Sequence, residues 1–299
     1  MNKQYKKKLV SMINKQSSKY KLIETSYGYY TIDPLPDNKE LNFFYQNNYL
    51  NNDKKLSNMG MDVGSKDVIE RFHHDREYDE IVKYLDEHFN NRNIKILDVG
   101  CGKGEFLKYL KKEGFDSLYG TELNSNIIAP GINIFNCGFL DFHTDEKFDF
   151  ITMTNVLEHI IPVNQFIQKS YYLLNDNGRI RIQVPNDLSY TQYCALKEKE
   201  KPIFYFFCPP EHINYFDFES IKALLVTSNF DIDYQTTNWC MDFFLLMGID
   251  YSLERSLGKK CHQYRINFEY MMGQDFLIKF YKKMAEMEVG RVAIIYAKK

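Results

Sequence analysis

Apolar positions along this chain change their period twice, and the changes separate three regions. Residues 1–66 are polar and irregular, with Asp33-Pro34-Leu35-Pro36-Asp37-Asn38 as a turn-rich break. After the break, Leu41, Phe44, Tyr45 and Tyr49 fall near helical spacing and predict a helix over about 38–50. From 67 to 187 helical and strand patterns alternate. A helix over 67–90 is marked by Val68, Ile69, Phe72, Ile81, Val82, Tyr84, Leu85 and Phe89. The run over 94–99 (IKILDV) is nearly continuous in apolar residues, as in a strand buried on both faces of a parallel sheet. A helix over 105–112 follows, then strands over 117–121, 132–136 and 148–154, a helix over 163–174, and a strand over 179–184 closed by Pro185. Such alternation predicts an α/β protein whose parallel sheet is covered by helices on both faces.

The last third is less regular. Residues 188–215 are strongly aromatic, and Phe204-Tyr205-Phe206-Phe207 before Pro209-Pro210 reads as a loop or lid. A helix is expected over 220–228, a strand over 230–234, and mainly helix over 239–290, with Met241, Phe243, Phe244, Leu245, Leu246 and Met247 as a buried stripe. The chain reads as ending in a strand over 291–297 (RVAIIYA). The expected organisation is a basic arm and cap over 1–66, a ligand-binding α/β domain over 67–240 with a lid at 188–216, and a helical extension with a last strand over 241–299.

Charge changes this picture at one end. Seven lysines and no acid lie in residues 1–21, which reads as a solvated, partly helical tail without a sustained apolar face. The rest of the chain is acidic, and a net charge of −2 argues against a dedicated nucleic-acid binder. Leu9-Val10-Ser11-Met12-Ile13 is too short for the apolar core of a signal peptide. No apolar run approaches the roughly 18 residues of a membrane span. The six cysteines form no C-x-x-C pair, so neither a zinc site nor a disulfide framework is expected, and reduced cytoplasm is the expected setting. Aromatic residues reach 16%, a surplus that suits a lid over a polar organic ligand.

The chemistry concentrates in Asp98-Val99-Gly100-Cys101-Gly102-Lys103-Gly104-Glu105, where a buried strand enters a glycine turn and then a helix. Glycines permit the tight turn and close approach of a ligand, and the helix N-terminus suits a carboxylate or phosphate. A nicotinamide-dinucleotide fingerprint needs its third glycine at 105, which is Glu105, and that acid would repel a pyrophosphate. Glu122, at the end of the next predicted strand, is placed to accept hydrogen bonds from both hydroxyls of a ribose.

Taken in order, D-V-G-C-G-K-G, T-E-L-N at 121–124, F-D-F-I-T-M-T-N-V-L-E-H at 148–159 and G-R-I-R-I-Q-V-P-N at 178–186 resemble the class I S-adenosylmethionine-dependent methyltransferases, in the branch that acts on small molecules and sugars. The resemblance implies a Rossmann-like seven-stranded sheet with the last strand inserted antiparallel, and S-adenosylmethionine as cofactor. It implies that the Gly100–Gly104 turn, with Cys101 and Gly102, holds the methionine end and that Glu122 binds the ribose, with Asp98 and Leu123 also at the cofactor. Phe139 and Leu140 would face the adenine, and Asn155 would lie beside the sulfonium. Residues 28–49 resemble the segment preceding this domain in sugar methyltransferases with a zinc module, but the first cysteine is Cys101, so no metal is expected.

For a hydroxyl acceptor, a histidine is the natural general base near neutral pH. His73, His74, His88, His143 and His262 lie outside the motifs and read as surface residues. His159, in V-L-E-H, belongs either to the site or to the turn after the strand. His212, in C-P-P-E-H-I-N-Y-F, matches the E-H-x-x-Y-F segment that borders the acceptor in sugar methyltransferases, with Glu211 orienting it. Tyr190, Tyr193, Tyr205 and Tyr215 are the expected acceptor contacts. The implied activity is O-methylation of a sugar or sugar-linked metabolite, as in surface-polysaccharide biosynthesis. The alternatives are C-methylation of a nucleotide-linked keto sugar, methylation of a quinone or amine, and a silent cofactor-binding partner subunit. Base methylation of nucleic acid would want N/D-P-P-Y/F where Thr154-Asn155-Val156-Leu157 stands, so no nucleic-acid partner and no integral membrane contact are expected.

Overall fold

The structure is a computed structural model that describes residues 3–37, 39–41, 68–123 and 129–299. The helix expected over 38–50 lies largely outside these residues. In chain order the elements are α1 (Gln4–Gln16), β1 (Lys21–Glu24), β2 (Tyr30–Asp33), α2 (Val68–His88), β3 (Ile96–Val99), α3 (Glu105–Lys112), β4 (Leu118–Thr121), β5 (Asn133–Phe135) and β6 (Phe148–Thr154). They continue with α4 (Val163–Leu173), β7 (Leu174–Pro185), α5 (Tyr190–Leu196), β8 (Asn214–Tyr215), α6 (Phe218–Thr227), β9 (Asp231–Thr236), α7 (Asp242–Leu246), α8 (Arg255–Met272), α9 (Gln274–Glu286) and β10 (Val292–Lys298).

Among the described residues a seven-stranded sheet has the order β5-β4-β3-β6-β7-β10-β9, and a three-stranded sheet has the order β1-β2-β8. β3 pairs parallel with β4 and β6, and β6 with β7. All four residues of β3 are buried, as its apolar run predicts for a central strand. At one end of β7 the Lys299 N–H donates to the Gly178 carbonyl; at the other the Asn186 N–H donates to the Arg291 carbonyl. β10 therefore runs antiparallel to β7, as the resemblance implies for the last strand.

Two compact units share the chain. One comprises Met1–His74, Pro185–Asp217 and Thr236–Ala293; the other comprises Asp75–Val184, Phe218–Gln235 and Ile294–Lys299. The second unit carries the large sheet. On one face of that sheet Tyr84 of α2 packs on Phe150 and Tyr296, with ring centroids 6.5 and 4.1 Å away.

The first unit overturns the reading of the basic arm. α1 buries Leu9, Val10 and Ile13 in a core with Tyr20, Leu22, Tyr30, Ile32, Leu188, Phe206 and Tyr215. Lys6 is buried on the same face and pairs with Asp217. Positions 6, 9, 10 and 13 form one helical stripe, which the lysines on the other faces hide when charge is counted along the chain. Leu9→Ala should cost about 2–5 kcal/mol, read as a lower midpoint in urea unfolding. A solvated arm would leave that midpoint unchanged.

The expected loop at 204–210 contains no helix or strand. Before it, α5 begins at a capping box, in which Ser189 accepts from the Gln192 N–H and Gln192 bonds back to Ser189. The sequence signal, Ser189-Tyr190-Thr191-Gln192, was obscured by the aromatics around it. Two further expectations are corrected. The stripe at 241–247 is not buried throughout, because α7 is only five residues long; Phe244 is buried while Leu246 and Met247 are exposed. His73 and His262 are not simple surface residues. His73 Nδ1 lies 2.6 Å from the buried Glu269, and Arg265 reaches His73 Nε2 at 2.6 Å and His262 Nδ1 at 3.3 Å. Burial, then Arg265 and His73, push His262 down to about 4.

Candidate active site

The glycine turn leaves β3 with positive φ at Gly100, Gly102 and Gly104 (70°, 52° and 70°) and enters α3 at Glu105. Two of these glycines serve different needs. A Cβ on Gly100 would lie 2.8 Å from the Val156 γ-carbon, so the turn packs too closely against the end of β6 for a side chain. A Cβ on Gly102 would meet nothing within 4 Å, so the space in front of this residue is open. The N–H groups of Gly100 and Cys101 both donate to the Thr121 carbonyl, at 2.8 and 3.1 Å, and tie the turn to the end of β4. Glycine at 120 permits this closeness, since a Cβ there would lie 2.7 Å from Cys101 Sγ.

Glu122, just past β4, accepts the Gly102 N–H at 3.0 Å on Oε2. The carboxylate thus stands at the rim of the open turn, where Asp98, Cys101, Gly102 and Glu122 meet. Burial pushes the Asp98 carboxyl up to about 7; Arg181 opposes that rise and Glu122 adds to it. Burial likewise pushes the Cys101 thiol up to about 12, which leaves it un-ionised and unsuited to act as a nucleophile. Leu123 is 68% exposed beside the rim.

Phe139 and Leu140 lie in a short turn, Phe139–Asp141, after β5. The Phe139 ring is buried against Phe166 at 5.4 Å. Lys169 of α4 fastens this segment by donating to the carbonyls of Leu140 and Phe142 at 2.9 and 2.6 Å. Asn155 follows β6 with φ of 55°, a left-handed conformation that asparagine tolerates better than most residues, and its N–H donates to Gln183 O at 3.0 Å. His159 sits in the next turn, its N–H bonded to Val156 O at 3.0 Å and its ring 3.9 Å from Glu158.

All ten residues expected at the cofactor belong to the second unit, as does His159. The sequence reading does not single out Lys169, which bonds the Phe139 segment, or Tyr78 and Arg181, which lie near Asp98. Tyr78 packs on Phe106 and Tyr109 at 5.3 Å, and burial, then Glu105 and Asp98, hold its hydroxyl un-ionised. The only sequence signal for these residues is their polarity inside apolar patterns.

The residues expected on the acceptor side, other than His159, belong to the first unit. His212 is half-buried; its N–H donates to the Cys208 carbonyl at 3.2 Å, and its own carbonyl accepts from the Tyr215 hydroxyl at 3.1 Å. Tyr215 is buried in the core, so its contribution here is to brace the His212 backbone. Glu211 is half-buried beside it. Tyr205 donates its hydroxyl to Asp242, whose other oxygen accepts from Thr191 at 2.7 Å. Tyr190 is exposed, with its ring 5.3 Å from Tyr5, and Tyr193 lies 6.1 Å from the same ring.

A glycine cradle open at Gly102, a helix N-terminus behind it and a carboxylate at its rim fit an amino-acid nucleoside such as S-adenosylmethionine. The family model described as a methyltransferase domain matches residues 70–235. The chain therefore belongs to the S-adenosylmethionine-dependent methyltransferase domain family. Ubiquinone biosynthesis O-methyltransferase of Rickettsia typhi is 29% identical over 140 residues, covering 42% of this chain and 56% of that protein. The chain thus spans about half the length of the curated relatives it matches.

Magnesium protoporphyrin IX methyltransferase of Synechocystis PCC 6803, solved with bound S-adenosylhomocysteine, has 12% identity and a TM-score of 0.52 over 88% of this chain and 100% of its own. The [4+2]-cyclase SpnF has 14% identity and a TM-score of 0.53 over 89% and 97%. At these identities the likeness concerns the fold. No helix among the described residues is long and apolar enough to cross a membrane.

If Glu122 binds the ribose, as the resemblance implies, Glu122→Ala should weaken S-adenosylmethionine binding about 10- to 150-fold, the scale of charged hydrogen bonds. Calorimetry giving an unchanged dissociation constant would remove Glu122 from the site.

Proposed function

We propose that this protein transfers a methyl group from S-adenosylmethionine to a hydroxyl of a small polar acceptor, a sugar or a sugar-linked metabolite. The observation that carries the reading is the open Gly102 turn with Glu122 held at its rim by the Gly102 N–H. Bound there, S-adenosylmethionine supplies an electrophilic methyl on a sulfonium. The chain's own tasks are to hold the methionine end at 98–104, engage the ribose at Glu122, and bed the adenine on Phe139 and Leu140. Asn155 would stand at the sulfonium end.

In this reading His212 takes the acceptor's hydroxyl proton as the new oxygen–carbon bond forms and the sulfur–methyl bond breaks, with S-adenosylhomocysteine leaving, and Glu211 stabilises the imidazolium. Fixed backbone bonds on both sides of His212 support a positioned side chain. Tyr190, Tyr193 and Tyr205 supply aromatic and hydroxyl contacts for the acceptor. The sugar class rests on the resemblance of the Glu211–Phe216 segment.

A second reading, O-methylation of a quinol ring, is favoured by the relatives named for ubiquinone biosynthesis. Incubation with methyl-labelled S-adenosylmethionine and two panels, sugar nucleotides and hydroxylated aromatic rings, separates the readings by product mass. Label on a sugar oxygen supports the first; label only on ring hydroxyls replaces it with the second. Absence of any product with both panels, despite tight cofactor binding, would argue for a silent cofactor-binding subunit.

A further inference from the structure

Strand pairing places Asp98 of β3 beside Thr152 of β6, and Thr152 beside Arg181 of β7. Residues paired in this way project from the same face of the sheet, so an acid, a hydroxyl and a guanidinium form one row across three strands. All three are buried, Asp98 to 6% exposure, Thr152 to 1% and Arg181 to 2%. Arg181 is held by three hydrogen bonds: Nε to the Tyr296 hydroxyl at 3.2 Å, one terminal nitrogen to Thr154 Oγ1 at 2.9 Å, and the other to Gln183 Oε1 at 2.6 Å. Every one of these partners is neutral, although Glu80 and Glu77 of α2 add negative charge at the Tyr296 hydroxyl. A buried cation is costly unless an anion compensates it, and Asp98 is the carboxylate in its row.

Asp98 in turn needs a cation. Glu122 adds negative charge from the end of β4, Cys101 is an un-ionised thiol in the turn, and Tyr78 of α2 is a neutral hydroxyl. β4 contributes only Gly120 at the paired position, and β6 contributes Thr152. Glu105 of α3 and Glu77 of α2 add negative charge at Tyr78. Arg181 supplies the positive charge.

The consequence concerns the methionine end of the cofactor, which carries an ammonium and a carboxylate. The helix N-terminus suits the carboxylate, and an ionised Asp98 at the root of the turn suits the ammonium. We propose that Arg181 is a positioning residue for cofactor binding: the buried counter-charge, two strands away, that keeps Asp98 an anion able to receive the ammonium. The proposal rests on the reading of Asp98 as a cofactor residue. By its direct field a guanidinium repels an ammonium, so removing Arg181 can weaken the binding of a cation through charge only if Asp98 becomes protonated.

Two strand spacings put the charges on the order of 10 Å apart, and at an effective dielectric near 20 the field is worth about a factor of ten in the proton equilibrium of Asp98. The test is S-adenosylhomocysteine affinity by calorimetry from pH 6 to 9 for wild type, Arg181→Met, Arg181→Gln and Arg181→Lys. Carbon NMR titration of the Asp98 carboxyl in the unliganded proteins accompanies it. The ligand's own amino group titrates alike in every sample, so ratios to wild type isolate the protein.

Both neutral variants should bind about tenfold more weakly below pH 7 and reach parity near pH 9, with the Asp98 titration moved upward. Arg181→Lys, which retains the charge, should stay close to wild type. Arg181→Gln keeps polar contacts and serves if Arg181→Met does not fold. Equal weakening at every pH, or an unmoved Asp98 titration, would overturn the proposal and leave Arg181 a packing residue. Asp98→Asn tests the underlying reading separately: if it binds as tightly as wild type, Asp98 is not a cofactor residue.

Discussion

His212→Gln retains S-adenosylhomocysteine affinity while turnover falls by roughly 100- to 10,000-fold, the range for loss of acid–base catalysis. The expectation follows from the backbone at this position. The His212 N–H is committed to Cys208 O and its carbonyl to the Tyr215 hydroxyl, so the main chain is fixed independently of the imidazole. Glutamine keeps a polar side chain there but takes up no proton near neutral pH. Turnover should also lose the limb of its pH profile that reports the imidazole. A packing role gives a different result: a lower melting temperature and a higher Michaelis constant, with turnover preserved at saturating acceptor. His159→Gln is the control. If it abolishes turnover while His212→Gln does not, the base is His159.

Asp98→Asn should raise the melting temperature at pH 8 while reducing S-adenosylhomocysteine affinity about 10- to 150-fold. In the fold the Asp98 carboxyl titrates at about 7, against an ordinary 3.8, because burial penalises its charged form. Between those values the folded chain holds a proton that the unfolded chain has released. The stability tied to this group is therefore complete below about pH 4, declines as pH rises towards 7, and is lost above it. At about 1.4 kcal/mol per pH decade the cost at pH 8 reaches up to about 4 kcal/mol. Asparagine is neutral throughout, so the variant's advantage should be greatest at pH 8 and vanish near pH 4. A melting temperature at pH 8 equal to or below that of wild type would contradict a carboxylate held in the core at a cost. The gain in stability and the loss of affinity together would identify Asp98 as a residue kept for its ligand.

The acceptor-side assignments depend on residues that the sequence presents as one aromatic segment. The structure divides their tasks. Tyr215 is in the core and bonded to His212, Tyr205 is tied to Asp242, and Tyr190 stays exposed. Burial differs among these rings because they belong to different elements, α5, the loop before Pro209 and β8. A count of aromatics cannot separate them.

The sequence by itself determined whatever depends on residues close together in the chain. The apolar run into Gly100, Gly102 and Gly104 specifies a strand, a turn and a helix start, and Glu122 follows at the end of the next strand; each feature is local, and the parallel α/β fold follows from the alternation. Tertiary structure alone decided the rest. α1 reads as a charged tail until a core is present for Leu9 and Ile13 to enter. His73 reads as a surface residue until helices distant in sequence bring its ring within 2.6 Å of the buried Glu269. Arg181 reads as an ordinary strand residue until the register of three strands sets it in line with Asp98. The reason is the same in each case: a charge or an apolar side chain takes its energy from its surroundings, and those surroundings are assembled from segments that no local pattern connects.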